Sequence, residues 1–168
     1  MVGRVFKAKL VILDCRDMHL GQDILRAQHC WNHCGLHPQN LENLAEHRKL
    51  WWFQQELVHK FKQAVQQREL AGPNITGPLR LVFYCEGGRD RSVGLAELTA
   101  KVLRNQGWKG EISHLCEARW RRCPKTSFNQ RICDVCAGKD APWADRRKLA
   151  EERFAAAWAP HARGDYDR

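Results

Sequence analysis

The sequence predicts an α/β fold: a small parallel or mixed sheet with flanking helices and a Cys-rich C-terminal extension. Three observations predict it. Two short β-rich apolar runs, 4–13 and 79–84, each end in polar residues. A stretch of helical period, 41–70, separates them. The second run leads through a glycine-bearing loop into an amphipathic helix.

The first run, Arg-Val-Phe-Lys-Ala-Lys-Leu-Val-Ile-Leu over 4–13, alternates and then turns continuously apolar, as a strand entering a covered sheet does. Asp14-Cys-Arg-Asp17 follows it. Residues 21–37 are polar and rich in His and Cys, compatible with a short helix that Pro38 ends. The clearest helix spans 41–70. Asn40 is placed to cap it, Glu42 suits its first turn, and Leu50, Leu57, Phe61, Ala64 and Val65 keep a helical spacing. Trp51-Trp52-Phe53 lies inside that stripe and reads as core. Two Gly and two Pro within 71–78 stop the helix. Leu79-Arg-Leu-Val-Phe-Tyr84 reads as a buried strand. After the loop, Ser92 is placed to cap a helix with Val93, Leu95, Ala96, Leu98, Val102 and Leu103 on its apolar face. Glu111–Cys116 reads as a third strand, completing a strand–loop–helix–strand unit with a parallel pair. Residues 117–141 show no period, and a final helix runs from Trp143 to Trp158. The predicted organisation is an α/β domain over 1–116, a Cys/Arg-rich segment over 117–141, and a C-terminal helix and tail over 142–168 packing on the same domain.

The chain has 168 residues, enough for one domain with its own core, and 28 Lys+Arg against 19 Asp+Glu give a net charge of +9. That excess favours anionic partners. With 43% hydrophobic and 28% charged residues the chain is globular rather than wholly disordered. No apolar run approaches the length of a membrane span, and the first residues lack the apolar core of a signal peptide. The expectation is a soluble, intracellular protein with no membrane partner. In a reducing compartment its 8 cysteines are buried thiols, metal ligands or a nucleophile rather than disulfides.

The loop Cys85-Glu86-Gly87-Gly88-Arg89-Asp90-Arg91-Ser92 is the most specific feature. A loop between a strand and a helix N-terminus points successive backbone N–H groups inward, and the helix dipole adds to their pull on an anion. Gly87 and Gly88 permit close backbone approach. Arg91 can bind phosphate oxygens in a fork. The same groups lower the pKa of a thiol at Cys85. Glu86 and Asp90 balance Arg89 and Arg91, so an anion is held mainly by N–H groups and Arg91.

Two resemblances follow from these residues. Cys85, Gly88, Arg91 and Ser92 meet the cysteine phosphatase signature Cys-x-x-Gly-x-x-Arg-Ser. The stretch Cys85-Glu-Gly-Gly-Arg-Asp-Arg-Ser-Val93, followed by Ala96-Glu97, resembles the Cys-Thr-Gly-Gly-Lys-His-Arg-Ser-Val stretch of the C-terminal domain of the RapZ family, the bacterial RNase adapter proteins. Asp14-Cys-Arg16 after the first strand and the long intervening helix fit that family too, and the resemblance covers about residues 8–116. It implies a non-catalytic pocket for a phosphorylated, phosphosugar-like small molecule or another tetrahedral anion, formed by Cys85–Ser92 with Arg16, and RNA as a further partner. Glu86 and Asp90 depart from the family's Thr and His. No Gly-x-x-x-x-Gly-Lys-Ser/Thr motif occurs, so ATP binding is not carried over. The phosphatase alternative uses Cys85 as nucleophile, Arg91 as clamp and Asp14 as general acid, with Tyr84 standing where phosphatases usually place His.

Cys133-Asp-Val-Cys136 is a Cys-x-x-Cys pair, with Cys116, Cys123 and His114 upstream. Tetrahedral zinc takes four N/S ligands from two such segments. The expected set is Cys123, Cys133 and Cys136, completed by Cys116 or His114; the alternative is a loop of free thiols. The cluster His29, Cys30, His33, Cys34 and His37 lacks a distant second pair and reads as helix surface. Arg119, Trp120, Arg121, Arg122 and Lys125 form a basic strip suited to phosphate-backbone contact, with Trp120 for base stacking, or else a solvated loop.

Overall fold

A computed structural model describes residues 9–19, 32–71, 77–120, 122–124, 126, 130 and 132–163. Strand β1 (Lys9–Asp14) is followed by helices α1 (Pro38–Ala45) and α2 (Leu50–Leu70). Strand β2 (Leu79–Tyr84), helix α3 (Arg91–Asn105), a 3-10 turn at Glu117–Arg119 and helix α4 (Ala141–Arg163) complete the order. Among the described residues the fold is α/β, with four helices around a two-stranded parallel sheet.

β1 and β2 pair in register from Lys9 opposite Leu79 to Asp14 opposite Tyr84. The amide of Cys15 continues the ladder onto the Tyr84 carbonyl at 2.8 Å. Val11 and Leu13 point into the core, whereas Leu10 and Ile12 are 51% and 50% exposed. The continuous apolar run of β1 therefore does not mark a strand covered on both faces: among the described residues the helices cover one face only. Residues 111–116 form no strand. His114 spends its ring on Glu97 of α3, 3.1 Å away, and Leu115 is 89% exposed, so no inward apolar alternation remains to hold a third strand.

The long helix expected over 41–70 is two helices. Pro38, expected to end a helix, starts α1 at its first turn, where its missing N–H costs nothing. His37 caps α1, Nδ1 accepting from the Gln39 amide at 3.2 Å, while the Asn40 side chain donates instead to the Cys34 carbonyl at 3.0 Å. The break follows Glu46: the Lys49 amide donates to His47 Nδ1 at 3.1 Å and the Leu50 amide to the His47 carbonyl at 2.8 Å. This local turn outcompetes the helical ladder.

The main core joins Val11 and Leu13 to Leu41 and Leu44 of α1, Phe53, Leu57 and Val58 of α2, Leu95, Leu98 and Val102 of α3, and Ala150, Phe154 and Trp158 of α4. The buried Gln54 amide donates to the Phe154 carbonyl at 2.9 Å, and Arg146 and Arg153 of α4 pair with Glu42 of α1. Trp52 is 66% exposed; the core-facing stripe passes through Phe53 and leaves Trp52 on the outer face of α2. A second, smaller cluster packs Cys34, Val93, Trp120, Cys123 and Cys136 with Leu36, Cys116, Ile132 and Cys133 around it. Among the described residues no helix is long and apolar enough to cross a membrane.

Candidate functional site

β2 delivers Cys85 to the open end of the sheet, and the chain turns back through Ser92 into α3. The Ser92 hydroxyl lies 3.2 Å from Cys85 Sγ. It does not cap α3: Asp90 is the N-cap, without a side-chain cap bond, and Ser92 lies inside the first turn. Burial pushes the Cys85 thiol up, but the Ser92 hydroxyl, the backbone amides of Ser92 and Gly88, and the Arg91 charge together outweigh it. The thiol is held below its ordinary value. The Ser92 hydroxyl is thus within hydrogen-bond reach of the sulfur. Gly88 has φ +56°, and a Cβ there would stand 2.9 Å from Cys116 Sγ, so both conformation and space require glycine.

Arg91 is mostly buried. Its Nη1 donates to the Arg16 carbonyl at 2.6 Å, and its Nη2 lies 3.5 Å from the Glu86 carboxylate. The guanidinium thus bridges the end of β1 and the loop beside Cys85. Arg16 grips Asp14 through Nε at 3.0 Å and Nη2 at 2.6 Å and lies over the Tyr84 ring. The hydrogen bonds from Arg16 hold the Asp14 carboxyl well below the usual carboxylate range. An ionised Asp14 has no proton to give, so it does not fit the general-acid role that a phosphatase needs at neutral pH. Asp90 is raised by burial against the opposing pull of Arg89 and Arg91. Arg89 is largely buried. Its Nε lies 4.0 Å from Asp90, and both Nε and Nη2 lack a hydrogen-bond partner among the described residues. It lies within electrostatic reach of His33 and Cys34.

The group of side chains that could hold a metal ion differs from the expected one. Cys123, Cys133 and Cys136 do converge, but His33 completes the group, and all four donor atoms lie within 4.8 Å of one another. His33 Nδ1 is 3.3 Å from Cys133 Sγ and 3.4 Å from Cys136 Sγ; Cys123 and Cys136 Sγ are 3.9 Å apart. Tetrahedral zinc with ligands at about 2.3 Å (S) and 2.0 Å (N) sets its donors about 3.5–3.8 Å apart. Three of the donor pairs are already close to that spacing. Burial, then the Arg89 charge, lowers His33 and favours the neutral imidazole that a metal requires. Cys34 shares a hydrogen bond with Cys136 that lowers the Cys34 thiol and raises Cys136.

Cys116 and His114 are not in this group. Cys116 packs beneath Gly88, and His114 pairs with Glu97. His33 was hidden because its partners lie a hundred residues away. Its available signal was its place in a run of alternating His and Cys residues, and the distant pair that run lacked is Cys133/Cys136. His29 and Cys30 lie outside the described residues. So do Arg121 and Lys125 of the basic strip, while Arg119 closes the 3-10 turn and Arg122 is exposed. Trp120 is not available for base stacking. It is 5% exposed, and its indole N–H donates to the Gly88 carbonyl at 2.9 Å. No protein-family model, no curated protein and no solved structure matches the chain.

Proposed function

We propose that the chain is a zinc-stabilised α/β domain that binds a tetrahedral anion on its Cys85–Ser92 loop without turnover. The anion is the phosphate of a phosphorylated small molecule, as the resemblance to the RapZ C-terminal domain implies. The observation that carries this reading is the contact of the Ser92 hydroxyl with Cys85 Sγ at 3.2 Å, with the Arg91 guanidinium held beside the loop. Those are the donors a phosphate oxygen needs. The ionised Asp14 favours binding over catalysis. Three sulfurs and one imidazole suit zinc, and four protein donors fill its tetrahedron, which is the pattern of a structural site.

Calorimetry with a hexose phosphate tests the anion site. Wild type binds, and Arg91→Ala loses at least about tenfold in affinity, because the positive charge beside Cys85 and the brace from the loop to the Arg16 carbonyl disappear together. Equal affinity in the two proteins rejects the reading. The lowered Cys85 thiol supports a second reading, a thiol phosphatase. Turnover of an aryl phosphate by wild type, lost in Cys85→Ser, selects it. An RNA backbone is the other source of the same phosphate. A steep salt dependence of RNA binding, reduced in Arg122→Ala, assigns the basic strip to it.

A further inference from the structure

Resting on the anion-loop reading, we propose that occupancy of the His33–Cys123–Cys133–Cys136 centre controls the shape of the Cys85–Ser92 loop, so that anion binding depends on bound metal. The loop is braced from outside at two consecutive carbonyls. Trp120 Nε1 donates to the Gly88 carbonyl and the Gly35 amide to the Arg89 carbonyl, each at 2.9 Å. In a trans peptide the N–H of the next residue points opposite to the carbonyl, and among the described residues no peptide is cis. Holding the two carbonyls outward therefore turns the amides of Arg89 and Asp90 to the other side of the backbone. The loop's own helix cap contributes no side-chain bond to this arrangement.

Both braces come from the segments that carry the metal ligands. Gly35 stands two residues after His33, and Trp120 three before Cys123. Around His33, residues 32–37 precede α1 as turn and bend, and between α3 and α4 the 3-10 turn is the one regular element among the described residues. Such segments gain their order from a metal. Gly35 seats backbone directly on backbone: a Cβ there would lie 2.0 Å from the Asp90 carbonyl oxygen and 2.7 Å from the Gly94 amide nitrogen. A displaced His33 arm thus carries the loop with it.

The side chain of Arg89 supplies the third link. Its buried Nε and Nη2 have no hydrogen-bond partner among the described residues, and its charge reaches His33 and Cys34. A divalent cation with three thiolates and a neutral imidazole carries one net negative charge. That charge matches the guanidinium, whose ion-pair partner Asp90 stands 4.0 Å from Nε. Loading the centre anchors residue 89 in the middle of the loop.

The test compares the zinc-loaded chain, the chain stripped by a chelator, and the stripped chain given zinc back. Phosphate affinity is read by calorimetry, and amide hydrogen exchange of 85–93 by mass spectrometry. Stripping should weaken phosphate at least about tenfold, within the usual span of coupled sites, and zinc should restore it. By reciprocity, saturating phosphate should raise by the same factor the zinc affinity read in an equilibrium chelator competition. The variant Trp120→Phe keeps the ligands and removes one brace. It should retain full zinc, leave exchange in α1 and α2 unchanged, and still speed exchange in 85–93. Equal phosphate affinity with and without zinc overturns the proposal. If phosphate binds in neither form, the anion reading itself fails, and exchange decides the coupling. Faster exchange of 85–93 in stripped protein and in Trp120→Phe upholds metal control of the loop, and unchanged exchange in both overturns it.

Discussion

The two packed regions of this molecule are held together by different means. The larger one is an apolar core in which Leu57, Leu95 and Phe154 are fully buried between helices. The smaller one, around Cys34, Trp120, Cys123 and Cys136, is built mostly of thiols and joins irregular segments. Area removed from water holds the first. The second buries fewer apolar side chains, and its packing brings four donor atoms within 4.8 Å of one another. The same few side chains that order this region also touch the Cys85–Ser92 loop. Order in the Cys85–Ser92 loop therefore draws on the smaller region, while the strands and helices that aim it draw on the larger.

The largest expected effect breaks the apolar side of that contrast. Phe154→Ala should cost about 3–5 kcal/mol in urea unfolding, since a large ring leaves a cavity between α2 and α4. A loss below about 1 kcal/mol would show that this packing is not what stabilises the fold. Next in size is Cys133→Ser. It should abolish stoichiometric zinc in metal analysis and raise amide exchange across 120–138, while peptides of α2 and of the β1–β2 pair keep their protection. Uniform loss of protection along the chain would merge the two regions into one cooperative unit. The smallest effect is a pH slope. Burial, then the Lys62 charge, lowers His161, so the folded state prefers its neutral ring. A depressed histidine contributes stability that is complete above its ordinary value of 6.5 and declines as pH falls below it. His161→Phe should flatten this part of the stability–pH curve between pH 6.5 and 5, measured by thermal unfolding, and an unaltered slope would place the titration elsewhere.

The placement of the Cys85–Ser92 loop between β2 and α3 was readable because its signals are local. An apolar run, two glycines, Arg91 and the start of α3 lie within some fifteen residues, and each constrains the backbone in the same direction. The α/β class was readable for the same reason. The break between α1 and α2 was not, because His47 and Lys49 form a turn that apolar spacing does not register. The third strand failed because the pattern over 111–116 is indifferent to what His114 binds on α3. Trp120 looked like a stacking platform among arginines, but the Gly88 carbonyl and the small core bury it.

By itself, the sequence determined the elements whose residues meet within one strand, one loop or one helix, since backbone conformation follows from neighbours along the chain. It also named three of the four residues of the His33–Cys123–Cys133–Cys136 group that could hold a metal ion, because a close Cys pair and a nearby thiol are visible in one segment. Only the tertiary structure decided that His33 completes the set, that Cys116 lies under Gly88, and that Arg91 locks onto the Arg16 carbonyl. Those choices join residues tens to a hundred positions apart, and they depend on where packing carries each segment rather than on any pattern inside it.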